Sequence, residues 1–142
     1  MSGKQMIERV WSGPIDLIWE LWTTAEGVAS WFGPRGFTVE VEQFELREGG
    51  AFVYVMRSDG APADAGRRMV STVTVVEPPH TLVYESPFGG ESMTTAVTFS
   101  EVDGGVRMVL TIDATKPEMT GGATKGWMSS LERFAERVAQ PS

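Results

Sequence analysis

Residues Met93 to Ile112 spell out two strands and the turn between them. Met93, Thr95, Val97 and Phe99 alternate along one arm, Asp103-Gly104-Gly105 turns the chain, and Val106, Met108, Leu110 and Ile112 alternate back. Period-two alternation on both sides of an Asp-Gly turn predicts a hairpin with one apolar face. Such a face must be covered by another element. The C-terminal segment supplies the cover. Trp127, Leu131, Phe134 and Val138 follow one another at the spacing of a single helix face, with Met128 and Ala135 widening the stripe. Glu132, Arg133, Glu136 and Arg137 are expected on the opposite, solvated side.

The remaining segments extend the sheet. Gln5 to Trp11 reads as a first strand, closed by Gly13-Pro14, and Pro14 suits a first helical position. Ile15, Ile18, Trp19 and Trp22 then share a helix face. Thr23 or Thr24 caps a second short helix carrying Val28, Trp31 and Phe32, with Glu26 completing a capping box if Thr23 is the cap, and Gly33-Pro34 ends it. Phe37 to Leu46 is a strand whose apolar phase switches from Val39 and Val41 to Phe44 and Leu46, which predicts a bulge. After the turn at Glu48-Gly49-Gly50, Phe52, Tyr54 and Met56 share a face, with Val53 and Val55 opposite. Ser58 to Gly66 reads as a loop, Met69 to Val76 as a strand stopped by Pro78-Pro79, Leu82 and Tyr84 as a short strand, and Ser86 to Gly90 as a loop. Thr115, three residues before Glu118, is placed to open the last helix. Gly121 and Gly122 weaken its first turns by about 1 kcal/mol each. The order is strand, two short helices, six strands and a long helix: an antiparallel α+β domain over residues 1–142 whose convex sheet face can remain wet.

Composition narrows the function. At 142 residues and 42% hydrophobic, the chain can bury one sizeable core. A net charge of −7 with no cluster of Lys and Arg argues against nucleic acid as a partner. No apolar run reaches the length needed for membrane insertion, and Met1 to Glu8 lacks the order of a signal peptide. A cytoplasmic location is expected. With no cysteine, disulfides and thiolate chemistry are excluded.

Few residues offer catalysis. His80 is the single histidine and follows two prolines, which reads as an exposed turn. One histidine leaves no multi-histidine metal site, and no serine sits in a G-x-S-x-G turn. Gly121 to Gly126 resembles a phosphate loop, but Trp127 follows where Lys and Ser or Thr are required. Small residues there leave space beside the helix instead. Asp113, Glu85, Arg57 and Arg107 fall out of phase with the apolar faces and read as solvated. No catalytic residue, metal ligand or cofactor is expected.

Five motifs in order resemble a known family. They are Thr23-Thr24-Ala25-Glu26 through Trp31-Phe32-Gly33-Pro34, Arg47-Glu48-Gly49-Gly50-Ala51-Phe52, Glu77-Pro78-Pro79 with Leu82-Val83, Asp103-Gly104-Gly105, and Gly126-Trp127 with Leu131. The chain is similar to bacterial proteins that resemble the C-terminal domain of the heat-shock-protein-90 ATPase activator, within the START-like (SRPBCC) superfamily. The resemblance implies a helix-grip fold, a seven-stranded antiparallel sheet wrapped around the long C-terminal helix, with the two short helices bracing its far end. It also implies an internal hydrophobic cavity. The candidate lining is Trp31, Phe32, Phe52, Tyr54, Met56, Tyr84, Met93, Thr95, Val97, Leu110, Trp127 and Leu131. Apolar residues interleaved with a few hydroxyls are what pockets for small ligands use. The expected function is binding of a small hydrophobic or aromatic ligand. Two alternatives stay open. One is a cyclase- or hydrolase-like enzyme using Tyr54, Tyr84 or Arg57. The other is a chaperone-modulating interaction domain or a homodimer, which an exposed apolar patch over Val53, Val55 and Val109 would favour.

Overall fold

The computed structural model describes residues 3–62, 65–88, 91–114 and 117–139. The elements are β1 (Gly3–Trp11), α1 (Ile15–Thr23), α2 (Ala25–Ala29), β2 (Phe37–Phe44), β3 (Ala51–Ser58), β4 (Arg67–Glu77), β5 (Thr81–Phe88), β6 (Glu91–Val102), β7 (Gly105–Ala114) and α3 (Pro117–Ala139). The seven strands form one antiparallel sheet in the order β1-β7-β6-β5-β4-β3-β2, curled around α3 as a helix grip.

The β6–β7 hairpin forms as its alternation predicts. Val97 faces Leu110 and Phe99 faces Met108 across the ladder, and Val106, Met108, Leu110 and Ile112 are all fully buried. Cross-strand apolar pairs of this kind fix the register, because a one-residue slip would turn every one of them to solvent. The phase switch in β2 is a bulge between Val41 and Gln43. Pro14 lies just outside α1, as its N-cap. Thr24, not Thr23, caps α2: its hydroxyl accepts from the Gly27 N–H at 3.0 Å. Glu26 therefore takes no part in a capping box.

Three expectations need correction. Ser86 to Phe88 continue β5 as far as Phe88 and are not loop. Ser86 lies in phase with Leu82 and Tyr84 on the inner face, and its hydroxyl is 2.8 Å from that of Ser71, so the two buried groups satisfy each other. On α3, Met128 is 47% exposed and Ala135 is exposed, while Ser130 is buried beside Trp127, Leu131 and Phe134. Arg133 is half-buried and not solvated. Its Nη1 donates to the carbonyls of Phe32, Gly33 and Phe37 at 3.2, 2.9 and 3.3 Å. Gly33 permits that approach with φ +96°, a region side-chain-bearing residues avoid.

The third correction concerns the convex face. Val55 is buried, and Val53 and Val109 are half-buried. The segment after β3 folds back over this face: Val55 Cγ1 comes within 2.9 Å of where a Cβ would stand on Gly66. Arg57 Nε donates to the Ala65 carbonyl at 2.9 Å, so Arg57 is partly covered as well. Arg107 remains exposed, paired with Glu8. No helix among the described residues is long and apolar enough to cross a membrane. Thr115 lies outside the described residues.

Candidate functional site

The aromatic side chains gather at one end of the grip. Trp22 closes α1, Trp31 and Phe32 follow α2, Phe52 and Tyr54 come from β3, Tyr84 from β5, and Trp127 from α3. The short α1–α2 connection brings Trp22 and Trp31 to a ring separation of 4.7 Å. Trp31 is locked by a 2.8 Å bond from its Nε1 to the Leu21 carbonyl. Trp127 stacks almost parallel on Trp22, with ring centroids 5.6 Å apart and 8° between planes. It also meets Phe32 at 5.1 Å and Trp31 at 6.3 Å. Phe134 packs onto Trp11 at 5.0 Å and Trp31 at 4.9 Å. The helix thus packs on the aromatics around α1 and α2 as well as on the sheet.

These rings surround a void lined by Trp22, Val28, Trp31, Phe32, Phe52, Leu82, Tyr84 and Trp127, with ≈ 10 Å³ open to the centre of a water-sized sphere. That is room for about one water molecule. The described interior here is filled by side chains, and a ligand as large as one aromatic ring must move one of them.

Of the twelve residues expected to line a cavity, Trp31, Phe32, Phe52, Tyr84 and Trp127 border this void. Tyr54 is one ring further out, 5.1 Å from Phe32. Thr95, Val97, Leu110 and Leu131 are buried elsewhere in the grip, and Met56 and Met93 are only partly buried. Sequence reasoning assigned Trp22, Val28 and Leu82 to the core and did not see them as lining. It missed Ser71 and Ser86. Ser71 stands in phase with Met69 and Val73, which is the signal that would have turned it inward.

The buried polar side chains among the described residues are hydroxyls: Thr23, Ser71, Ser86, Thr95 and Ser130, with Tyr54 and Tyr84. Burial pushes the Tyr54 phenol up to about 12, with a small opposing pull from Arg67. Burial also holds Tyr84 well above its ordinary 10.0, assisted by Tyr54 and opposed by its hydrogen bond with Thr95. Both phenols are therefore neutral across the physiological range. One buried polar atom has no partner among the described residues, the indole N–H of Trp22. His80 is exposed in the turn before β5, with Nδ1 3.0 Å from the Phe99 carbonyl. No three His, Asp or Glu side chains among the described residues are grouped as metal ligands. The glycine-rich run 121–126 is helical, part of α3, and nothing lies within 4 Å of the place a Cβ would occupy on Gly126.

Comparison with known proteins places this geometry. The family described as "Activator of Hsp90 ATPase homolog 1-like protein" matches residues 12–139. No curated protein matches. Among solved structures, a Chromobacterium violaceum protein superposes with TM-score 0.85 at 20% identity, covering 98% of this chain and 99% of its own. A Nitrosomonas europaea protein gives TM-score 0.84 at 18% identity, covering 95% of this chain and 93% of its own. An Aeromonas hydrophila protein described as AHSA1-like gives TM-score 0.79 at 24% identity, covering 95% and 91%. At these identities the likeness concerns the fold.

Proposed function

The chain belongs to the family of activator-of-Hsp90-ATPase-homologue-1-like proteins, and from that premise we propose that it binds a small, flat, hydrophobic or aromatic ligand between the sheet and α3. The fold commonly holds hydrophobic ligands. The observation that carries the reading here is the Trp127 ring, a flat group held between Trp22 and Phe32 at the edge of a small void. A planar ligand that takes its place recovers the stacked contact with Trp22 and the tilted one with Phe32 once Trp127 turns out of the site. Burial of an aromatic ring of roughly 150–250 Å² supplies the driving force.

The buried hydroxyls support binding over catalysis. Among the described residues none is a carboxylate, an imidazole or a cation, and burial moves the Tyr54 and Tyr84 phenols further from neutral pH, away from the poise a general acid or base uses. We propose a cytoplasmic location, in keeping with the lack of cysteine; subcellular fractionation of the native host checks this.

The test of binding is titration of isotope-labelled protein with indole, followed by amide shifts. Saturable changes at residues 22, 31, 32, 52 and 127 are expected. The absence of saturable changes up to the solubility limit would overturn the reading. Native mass spectrometry of the freshly purified protein gives the independent check: a retained apolar molecule is the expected outcome.

A further inference from the structure

The two edges of the sheet differ in how they are guarded. Strand order places β2 at one edge and β1 at the other. An edge strand offers unpaired N–H and C=O groups to any second chain, and proteins block it with bulges, charges or a covering element. β2 has all three: a bulge between Val41 and Gln43, Glu40 and Glu42 paired with Arg57 and Arg68, and α2 packed on it. β1 instead runs in unbroken register with β7 from Gly3 opposite Ala114 to Trp11 opposite Val106, and no described residue pairs with its outer side. Lys4, Met6, Glu8 and Val10 share its solvent face. Met6 and Val10, 69% and 63% exposed, are the most exposed large hydrophobics among the described residues.

Two contacts show which backbone groups meet the open edge. Successive residues of a strand turn their N–H and C=O to opposite sides. The Trp11 carbonyl points at β7, so close to Gly105 that a Cβ there has no room. The Glu8 carbonyl, an odd number of residues away, takes a bond from the Arg9 guanidinium at 2.8 Å instead. Lys4, Met6, Glu8 and Val10 therefore present their backbone groups outward.

We propose that β1 pairs antiparallel with β1 of a second copy of this chain, about a two-fold axis at Met6, so that two seven-stranded sheets join edge to edge. Charge selects the register. With Met6 opposite Met6, Lys4 of each copy stands opposite Glu8 of the other. Asp113 is already opposite Lys4, and Glu8 is paired with Arg107. Charges then alternate in sign across the junction: Asp113 and Lys4 of one copy, Glu8 and Arg107 of the other. A lysine that guards a solitary edge is here answered by a glutamate. Sliding one copy by two positions leaves Lys4 opposite Val10 and Glu8 opposite Met6. Sliding it by four sets Glu8 against Glu8, and like charges directly opposite destabilise a pair. In the favoured register the facing pairs Lys4–Glu8, Met6–Met6 and Glu8–Lys4 each exchange two backbone bonds, about six in all. The Arg9 guanidinium yields the Glu8 carbonyl to the second copy's Lys4 N–H.

The chain has no cysteine, so single cysteines report this geometry directly. Opposed residues of a hydrogen-bonded antiparallel pair have Cα atoms about 5.5 Å apart, within reach of a disulfide. Met6→Cys is expected to oxidise to a covalent dimer. Val10→Cys, a similarly exposed control, is expected to stay a single chain, because the two Val10 positions lie about 27 Å apart in this register. In sedimentation velocity over a dilution series, wild type is expected to pass from two chains to one. Lys4→Glu and Met6→Lys are expected to lose the dimer and Lys4→Arg to keep it. Amide exchange of wild type at Met6 and Glu8 is expected to slow as concentration rises, a readout that needs no variant. Wild type that remains one chain up to its solubility limit overturns the proposal. A dimer that Lys4→Glu and Met6→Lys both leave intact overturns it too, since it joins other surfaces. Equal linking of Met6→Cys and Val10→Cys, the mark of chance collision, overturns it as well.

Discussion

Replacing Trp127 by alanine should convert a filled site into an open one, and the energetics can be worked from its contacts. Trp127 is 8% exposed and touches the rings of Trp22, Trp31 and Phe32. At about 25 cal/mol per Å², burying roughly 150–250 Å² of aromatic surface is an upper figure of about 4–6 kcal/mol. Truncation of a buried tryptophan to alanine costs about 3–5 kcal/mol, so Trp127→Ala should lose that much, measured by urea unfolding. The hole it leaves joins the existing void and has the outline of an indole. Dry apolar cavities of about 150 Å³ bind benzene, so free indole should bind the variant. At a hundred times its Kd, indole restores about 2.7 kcal/mol, most of the loss. Wild type should respond far less, because there the ligand must first displace the resident ring. Zwitterionic tryptophan, with charges to desolvate, should rescue neither protein. If indole stabilises wild type and Trp127→Ala equally, or if the variant loses less than about 1 kcal/mol, as surface positions do, the ring does not occupy the ligand's place.

Leu131→Ala should cost about 2–5 kcal/mol in the same unfolding assay, because Leu131 is 2% exposed at the centre of the buried stripe. In alkali, the raised Tyr54 phenol gives stability that is complete below its unfolded value of 10.0 and is lost as pH rises toward about 12. Tyr54→Phe should therefore flatten the alkaline limb of a stability–pH curve. In acid, Glu45 is held below its ordinary 4.5 first by the Ala51 N–H and then by Arg47, and Glu42 is held down first by its hydrogen bonds with Arg68. Their contribution is present above 4.5 and disappears as pH falls through the lowered values, so Glu45→Gln and Glu42→Gln should each lessen the slope of acid unfolding. Arg133→Met should cost about 1.5–3 kcal/mol, the range for a hydrogen bond to a charged group, in urea melts.

Where one physical signal dominated, the sequence was enough. Strict alternation in β6 and β7 and the stripe of Trp127, Leu131 and Phe134 each identify an element and its buried side without help from distant residues; the phase break in β2 marks its bulge, but the strand stops at Phe44 and Leu46, expected to continue it, is 38% exposed. Failures came where a tertiary partner decided. Ser86 reads as loop because Ser-Pro is a turn signal, and only Ser71, fifteen residues earlier on the inner face of β4, makes it a satisfied core position. Val55 reads as exposed because the segment that covers it comes from the next loop. Met128 and Arg133 exchange expected roles because three carbonyls near Phe32 accept from the guanidinium and set the rotation of α3. The aromatic identity of the site was legible in the sequence, but its filling was not. Whether Trp127 lines a hole or occupies it depends on how Trp22 and Phe32 approach from other elements, and local patterns carry no record of that.

The bonds from Arg133 also set how the grip answers to its solvent. Arg35 fastens the same helix from outside, through Ser129 and through exposed contacts with Glu132 and Glu136. Salt screens those contacts, since at about 1 M the Debye length is only about 3 Å, and acid neutralises their carboxylates. Carbonyl oxygens have no charge to screen and take up no proton at such pH. As ionic strength rises or pH falls, the Arg35–glutamate contacts are lost first, while the Ser129 bond and the inner fastening keep the Phe32 and Gly33 backbone on α3. The aromatic end of the molecule is thereby tied to its helix by contacts whose strength does not follow the medium, and the two arginines, two positions of one chain serving one helix, divide that task between a variable tie and a constant one.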